Sequence, residues 1–76
     1  MELSKTQISL LKTIQRKRKR GDINLIADKV GLSQAFVSLV LNPKEHYWDE
    51  NIISEEIDLI NAREQNTKLL LEKLIA

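Results

Sequence analysis

The segment "IADKVGLSQAFVSLVLN", residues 26 to 42, limits the folds open to this chain more than any other. Its apolar residues recur at helical spacing, yet Gly31 and Ser33 divide the pattern after barely two turns. Gly31 stands where the chain must reverse, and a left-handed backbone angle there costs a side-chain-bearing residue roughly 1 kcal/mol or more. Ser33 is a strong N-cap and restarts the helix. Asn42-Pro43 stops it, because the residue before proline is pushed out of helical angles. The pattern therefore predicts two short helices across a tight turn, a helix-turn-helix. Within it Ala27 is small where the helices cross, and Leu32 is expected to plug the gap between them. Val37, Val40 and Leu41, at i, i+3 and i+4, anchor the second helix to the core.

No run in the chain alternates with period two, so no strands are expected. A first helix should begin after Ser4 and run to about Arg20. Ile8, Leu10, Leu11 and Ile14 form its apolar stripe, and Gly21 closes it. Asp22 reads as the N-cap of a helix from Ile23 to Val30 that buries Ile26, Ala27 and Val30. After a loop over 43–48, in which Trp48 is expected to join the core, the pattern is helical from the capping residue Asp49 to the end. Continuity past Asn66-Thr67 stays open. The expected fold is all-α with four or five helices in a single domain over 1–76. The helix-turn-helix occupies 23–42, and a C-terminal packing or dimerisation helix occupies 49–75.

Charge is divided along the chain. Residues 1 to 44 hold nine Lys or Arg against three Asp or Glu, and residues 45 to 76 hold three against eight, under a net charge of only +1. A basic half beside an acidic half suits one face turned to a polyanion. The chain has no cysteine, which excludes a disulfide framework or thiolate metal site and fits a reducing compartment. His46 is the only histidine and has no partner ligands, so no metal is expected. No Ser-His-Asp spacing or Gly-rich phosphate loop supports catalysis. The carboxylates read as an acidic helix surface. No cofactor, small-molecule ligand or membrane association is expected, and the cytoplasm or nucleoid of a bacterium is the expected location.

Residues 23 to 42 resemble the helix-turn-helix of the lambda-repressor-like superfamily of bacterial and phage DNA-binding proteins. "ADKVGLSQ" is similar to phage repressor and Cro-like members, and "GLSQAFVSLVLN" is similar to the "GVS…TVSRVLN" hallmark of the LacI-type headpiece. The preceding "RKRKRG" resembles the end of the first helix in the Xre-like branch. The resemblance implies four or five helices around one core, with the helix that starts at Ser33 entering the major groove. It implies base readout by the positions of Gln34, Ala35 and Leu39, with Phe36 flanking them, and phosphate contacts by Ser33 and Ser38. Gln can pair bidentately with adenine, and Ala, Leu or Phe can meet a thymine methyl. The LacI-type pattern often carries Arg where this chain has Leu39. Leu cannot read guanine, which favours an A·T-rich, palindromic site.

Five successive cations, Arg16, Lys17, Arg18, Lys19 and Arg20, exceed what a helix dipole requires. Arg16, Arg18, Lys19 and Arg20, with Asn42 and Lys44, are the further candidates for phosphate contact. In the acidic half, Ile53, Ile57, Ile60, Leu71 and Leu74 follow a 4-3 seam with Glu64 and Thr67 as its polar steps. Five of the seven residues from Leu69 to Ile75 are apolar. Leu70, Leu71, Leu74 and Ile75 are the candidates for a homodimer interface, and folding back over the core is the competing account. The expected function is that of a dimeric regulator binding double-stranded DNA and repressing by occlusion. Its rivals are a protein-interaction adaptor or antitoxin, and a basic peripheral membrane binder built on the first helix.

Overall fold

The computed structural model describes residues 2–75. The described residues form four helices and no strand: α1 (Lys5–Lys17), α2 (Asp22–Val30), α3 (Gln34–Leu41) and α4 (Glu50–Ile75). The all-helical expectation is met, and so are the N-caps expected at Ser4, Ser33 and Asp49. Ser4 and Gln7 form a reciprocal capping box at α1. The Ser33 hydroxyl accepts the Phe36 N–H at 3.1 Å, and the Asp49 carboxylate accepts the Ile52 N–H at 3.1 Å. Gly31 adopts the left-handed angle that its turn requires, with φ 73°. The axes of α2 and α3 turn by 115° across residues 31–33.

One core joins the elements. Leu11 and Ile14 of α1, Ile26 and Ala27 of α2, Val37, Val40 and Leu41 of α3, and Ile52, Ile53 and Ile60 of α4 are buried together. Half-buried Trp48 packs against them, as do Ile8, Leu10, Val30 and Ile57. Helix α4 runs unbroken through Asn66 and Thr67. The Thr67 hydroxyl bonds the carbonyl of Arg63 one turn back at 3.0 Å, which satisfies a side chain that otherwise competes with the helix. No single helix among the described residues is long and apolar enough to cross a membrane.

Several sequence-based expectations require correction. α1 ends at Lys17 rather than Arg20, because Arg18 turns to extended angles and caps the helix through its N–H to Ile14 O. Gly21 does not close α1. It is the left-handed residue that opens α2, and Asp22 lies inside that helix instead of capping it. Leu32 does not plug the helix pair. It is exposed, and its N–H bonds Ala27 O. Nor are the carboxylates all on an acidic surface, since Asp22 and Glu56 are both buried. The buried line of α4 is Ile52, Ile53, Glu56 and Ile60, so the 4-3 seam through Ile57 is off by part of a turn. From Glu64 onward every described residue is exposed, so the C-terminal segment does not fold back over the core.

Candidate nucleic-acid interface

Eight residues make α3, and they divide cleanly. Val37, Val40 and Leu41 are buried, whereas Gln34, Ala35, Phe36 and Ser38 are exposed and Leu39 is half-buried. No other element covers the outer face. Phe36 is 36% exposed, an unusual position for a ring on a short solvated helix. Gln34 is already oriented: its Nε2 donates to Asn24 Oδ1 on α2 at 2.8 Å. The Gln34 carbonyl oxygen and the Asn24 amide nitrogen make no hydrogen bond in the described structure, leaving an acceptor and a donor side by side. That pair matches the demand of an adenine edge. Asn24 escaped the sequence reading, since a bond spanning ten residues cannot be seen before the turn geometry is known.

A cleft of about 480 Å³ lies beside the C-terminal end of α3. Lys12 and Arg16 project into it from α1, one turn apart, and Lys44 closes it from the segment after Pro43. Ser9, Thr13 and Gln15 complete a lining without a carboxylate. The Thr13 hydroxyl receives Arg16 Nη2 at 3.3 Å, which steadies the guanidinium. Three cations converging without an acid make a cleft whose charge suits an anion. The fold thus brings Arg16 and Lys44 together and adds Lys12, whose i,i+4 spacing to Arg16 was the available signal. Asn42 is half-buried, and its Oδ1 accepts the Lys44 N–H at 3.0 Å. It shapes the turn that carries Lys44.

The rest of the basic run is split. Lys17 pairs with Glu64 at 2.7 Å, while Lys19 and Arg20 are exposed in the turn before α2. Arg18 points inward, with its Nη1 buried and without a partner. It faces a polar cluster that the sequence did not reveal. Asp22 Oδ1 accepts Arg63 Nη1 at 2.8 Å, and its Oδ2 accepts the Lys19 N–H at 3.1 Å. Arg63 Nη2 reaches Lys17 O at 3.2 Å, satisfying the last carbonyl of α1.

Glu56 is the fully buried member of the cluster, and no N–H or hydroxyl donates to either of its oxygens. Burial, then the hydrogen bond to Asp22 and the charge of Asp22, push its carboxyl up to about 8 against the weaker pull of Arg63 and Arg18. At neutral pH Glu56 therefore keeps its proton and can donate it to Asp22. Burial opposes the charge on Asp22, but hydrogen bonds from Glu56, Arg63 and the Lys19 N–H outweigh it and hold that carboxyl below its ordinary range.

The described residues contain no cluster of three or more His, Cys, Asp or Glu able to hold a metal ion. No protein family, curated protein or solved structure matches the chain.

Proposed function

We propose that the chain is a sequence-specific double-stranded DNA-binding protein of the lambda-repressor-like kind. In this reading α2 and α3 form the helix-turn-helix, and α3 lies in the major groove. The observation that carries it is the uncovered outer face of α3, with an oriented Gln34 at one end and the acid-free cleft of Lys12, Arg16 and Lys44 at the other. The 115° turn between the helices supports it, because that angle lets one helix bridge while the other projects.

Roles follow from placement. Gln34, held by Asn24, reads an adenine, while Ala35 and Phe36 present apolar surface to thymine methyls. Leu39 is half-buried and contributes one edge of that surface. The cleft grips one phosphate, and Ser33, Ser38, Lys19 and Arg20 reach others along the strand. Arg18, turned inward, shapes the turn on which Lys19 and Arg20 stand. The acidic surface of α4, with Glu50, Asp58 and Glu72 exposed, stays away from the duplex and orients the protein on it. The biological role that fits is a bacterial or phage transcriptional regulator that represses by occupying its operator.

Selection of bound duplexes from a random pool, followed by titration against salt, tests the reading. Enrichment of an A·T-rich motif is expected, with log affinity falling by about 0.9 per phosphate contact against log salt. A chain that binds no duplex at low salt would be an adaptor or antitoxin built on the same helices.

A further inference from the structure

Two buried carboxyls, Glu56 of α4 and Asp22 of α2, meet beneath the turn that joins α1 to α2. Glu56 is wholly enclosed and Asp22 is 3% exposed. Ionised carboxylates only accept hydrogen bonds, so the pair stays in contact without repulsion only while one member carries a proton and donates it to the other. The surroundings decide which one. Asp22 has its donors, Arg63 Nη1 at 2.8 Å on Oδ1 and the Lys19 N–H at 3.1 Å on Oδ2. Glu56 has none, so the proton belongs there. The other charges turned toward Glu56 are Arg63 on its own helix and Arg18 at the end of α1, while α3 carries no charged residue.

The turn hangs on this pair. Asp22 holds it in both directions, through its carboxylate to the Lys19 N–H and through its own N–H to the Lys19 carbonyl at 3.2 Å. α1 and α2 do not pack on each other, so no apolar contact duplicates that hold. Lys19 and Arg20 stand exposed on the turn. Once Glu56 loses its proton, the donor to Asp22 becomes a second buried anion, which is costly unless a cation pairs with it. The free donor at hand is Arg18 Nη1, buried and without a partner. Arg18 caps α1 and directly precedes Lys19. Seating its guanidinium on Glu56 while Asp22 is repelled therefore pulls the turn from both ends. We propose that Glu56 is a proton-operated latch on the basic turn: protonated, it holds Lys19 and Arg20 where they meet the duplex, and ionised, it frees them, so that the protein releases DNA as its surroundings turn alkaline. The release of DNA rests on the duplex-binding reading, whereas the latch itself rests on the buried pair alone.

Carbon-detected NMR and duplex affinity, followed from pH 6 to 9 at fixed ionic strength, test the latch. In wild type the Glu56 carboxyl carbon and the Lys19 and Arg20 carbonyl carbons should shift with one shared midpoint, near the value of about 8 that burial and Asp22 impose on Glu56. Anisotropy titration of a labelled duplex should show affinity level to about pH 7 and about tenfold weaker at pH 9, where only about one molecule in ten keeps the proton. Glu56→Gln offers Asp22 a donor at every pH, so its carbonyl shifts and its affinity should stay level across the range. Lys19 and Arg20 carbonyls that stand still while Glu56 titrates overturn the latch, and this readout needs no variant to fold. Wild-type binding as strong at pH 9 as at pH 7, or a Gln variant whose affinity falls as wild type does, overturns it too. So does a loss of affinity that tracks loss of helix by circular dichroism. A chain that binds no duplex at any pH refutes the functional reading instead, and the carbonyl shifts alone then decide the latch.

Discussion

Glu56 makes this protein's stability fall with rising pH, against the usual behaviour of a carboxylate. Its carboxyl titrates at about 8 in the folded chain, against 4.5 ordinarily. Between those values the folded state holds a proton that the unfolded state has released. Stability is then complete below about pH 4.5 and declines as pH rises through 8. At about 1.36 kcal/mol per pH unit the ceiling is roughly 5 kcal/mol. Ionised Glu56 would regain part of this by drawing in the unpartnered Nη1 of Arg18, so a loss of about 2–3 kcal/mol by pH 9 is expected.

Glu56→Gln mimics the protonated carboxyl, because its amide can donate to Asp22 without titrating. It should match wild type within about 1 kcal/mol at pH 5 and exceed it by about 2 kcal/mol at pH 9. Urea unfolding followed by circular dichroism, at pH values from 4 to 10, reads both. With a slope near 1 kcal/mol per molar for so small a chain, the midpoints should separate by about 2 M at the alkaline end. Wild-type stability that is level from pH 5 to 9, or a Gln variant weaker than wild type at pH 9, would refute the reasoning. Asp22 acts in the opposite sense: its lowered value stabilises the fold above pH 3.8, and that contribution is lost as pH falls further.

Other expectations concern binding and the turn. Gln34→Ala should relax preference at one base position by about 1–3 kcal/mol, and Asn24→Ala should do so partly at the same position, both read by competition between duplexes. Lys44→Ala and Lys12→Ala should instead weaken all duplexes alike, and the two together should flatten the salt dependence by up to about 0.9, the share of the one phosphate the cleft holds. Arg18→Ala should alter stability more than the salt slope, since its guanidinium faces Glu56. Gly31→Ala meets no atom within 4 Å at its new Cβ, so its cost should be the left-handed angle alone, about 1 kcal/mol by thermal unfolding.

What the sequence disclosed was local. Ser4, Ser33 and Asp49 cap within three residues of themselves, Gly31 meets a backbone demand of its own turn, and the apolar phases of α1 and α3 point at one core. Each signal is complete within a turn or two of chain. The misreadings needed distant partners. Asp22 looked like a cap because its side chain suits one, but Arg63, 41 residues away, takes that carboxylate inward. Glu56 looked like surface because it sits among acids, although Ile52 and Ile60 at i−4 and i+4 place it on their own face. The candidate interface divides in the same way. Gln34 and Phe36 could be read from the wheel of α3, whereas the meeting of Lys12, Arg16 and Lys44 depends on how α3 lays its end across α1.

The polar cluster answers a need that apolar contact does not meet. α2 packs on α3 and α4, and α1 packs on α3 and α4, but α1 and α2 do not pack on one another. The turn between them, carrying Lys19 and Arg20, therefore has no apolar floor of its own. Arg63 supplies the tie, with one nitrogen on Asp22 at the start of α2 and the other on the last carbonyl of α1. Only a planar fork can reach both. Arg63→Lys should keep one contact and lose about 1–2 kcal/mol, while Arg63→Ala, which strands buried Asp22, should lose about 2–4 kcal/mol. Hydrogen exchange separates this tie from a general packing role: the Lys19 N–H should lose protection in both variants while the Val40 and Leu41 amides keep theirs in the Lys variant. Equal protection of Lys19 in wild type and Arg63→Lys would mean that the turn is held by something other than the fork.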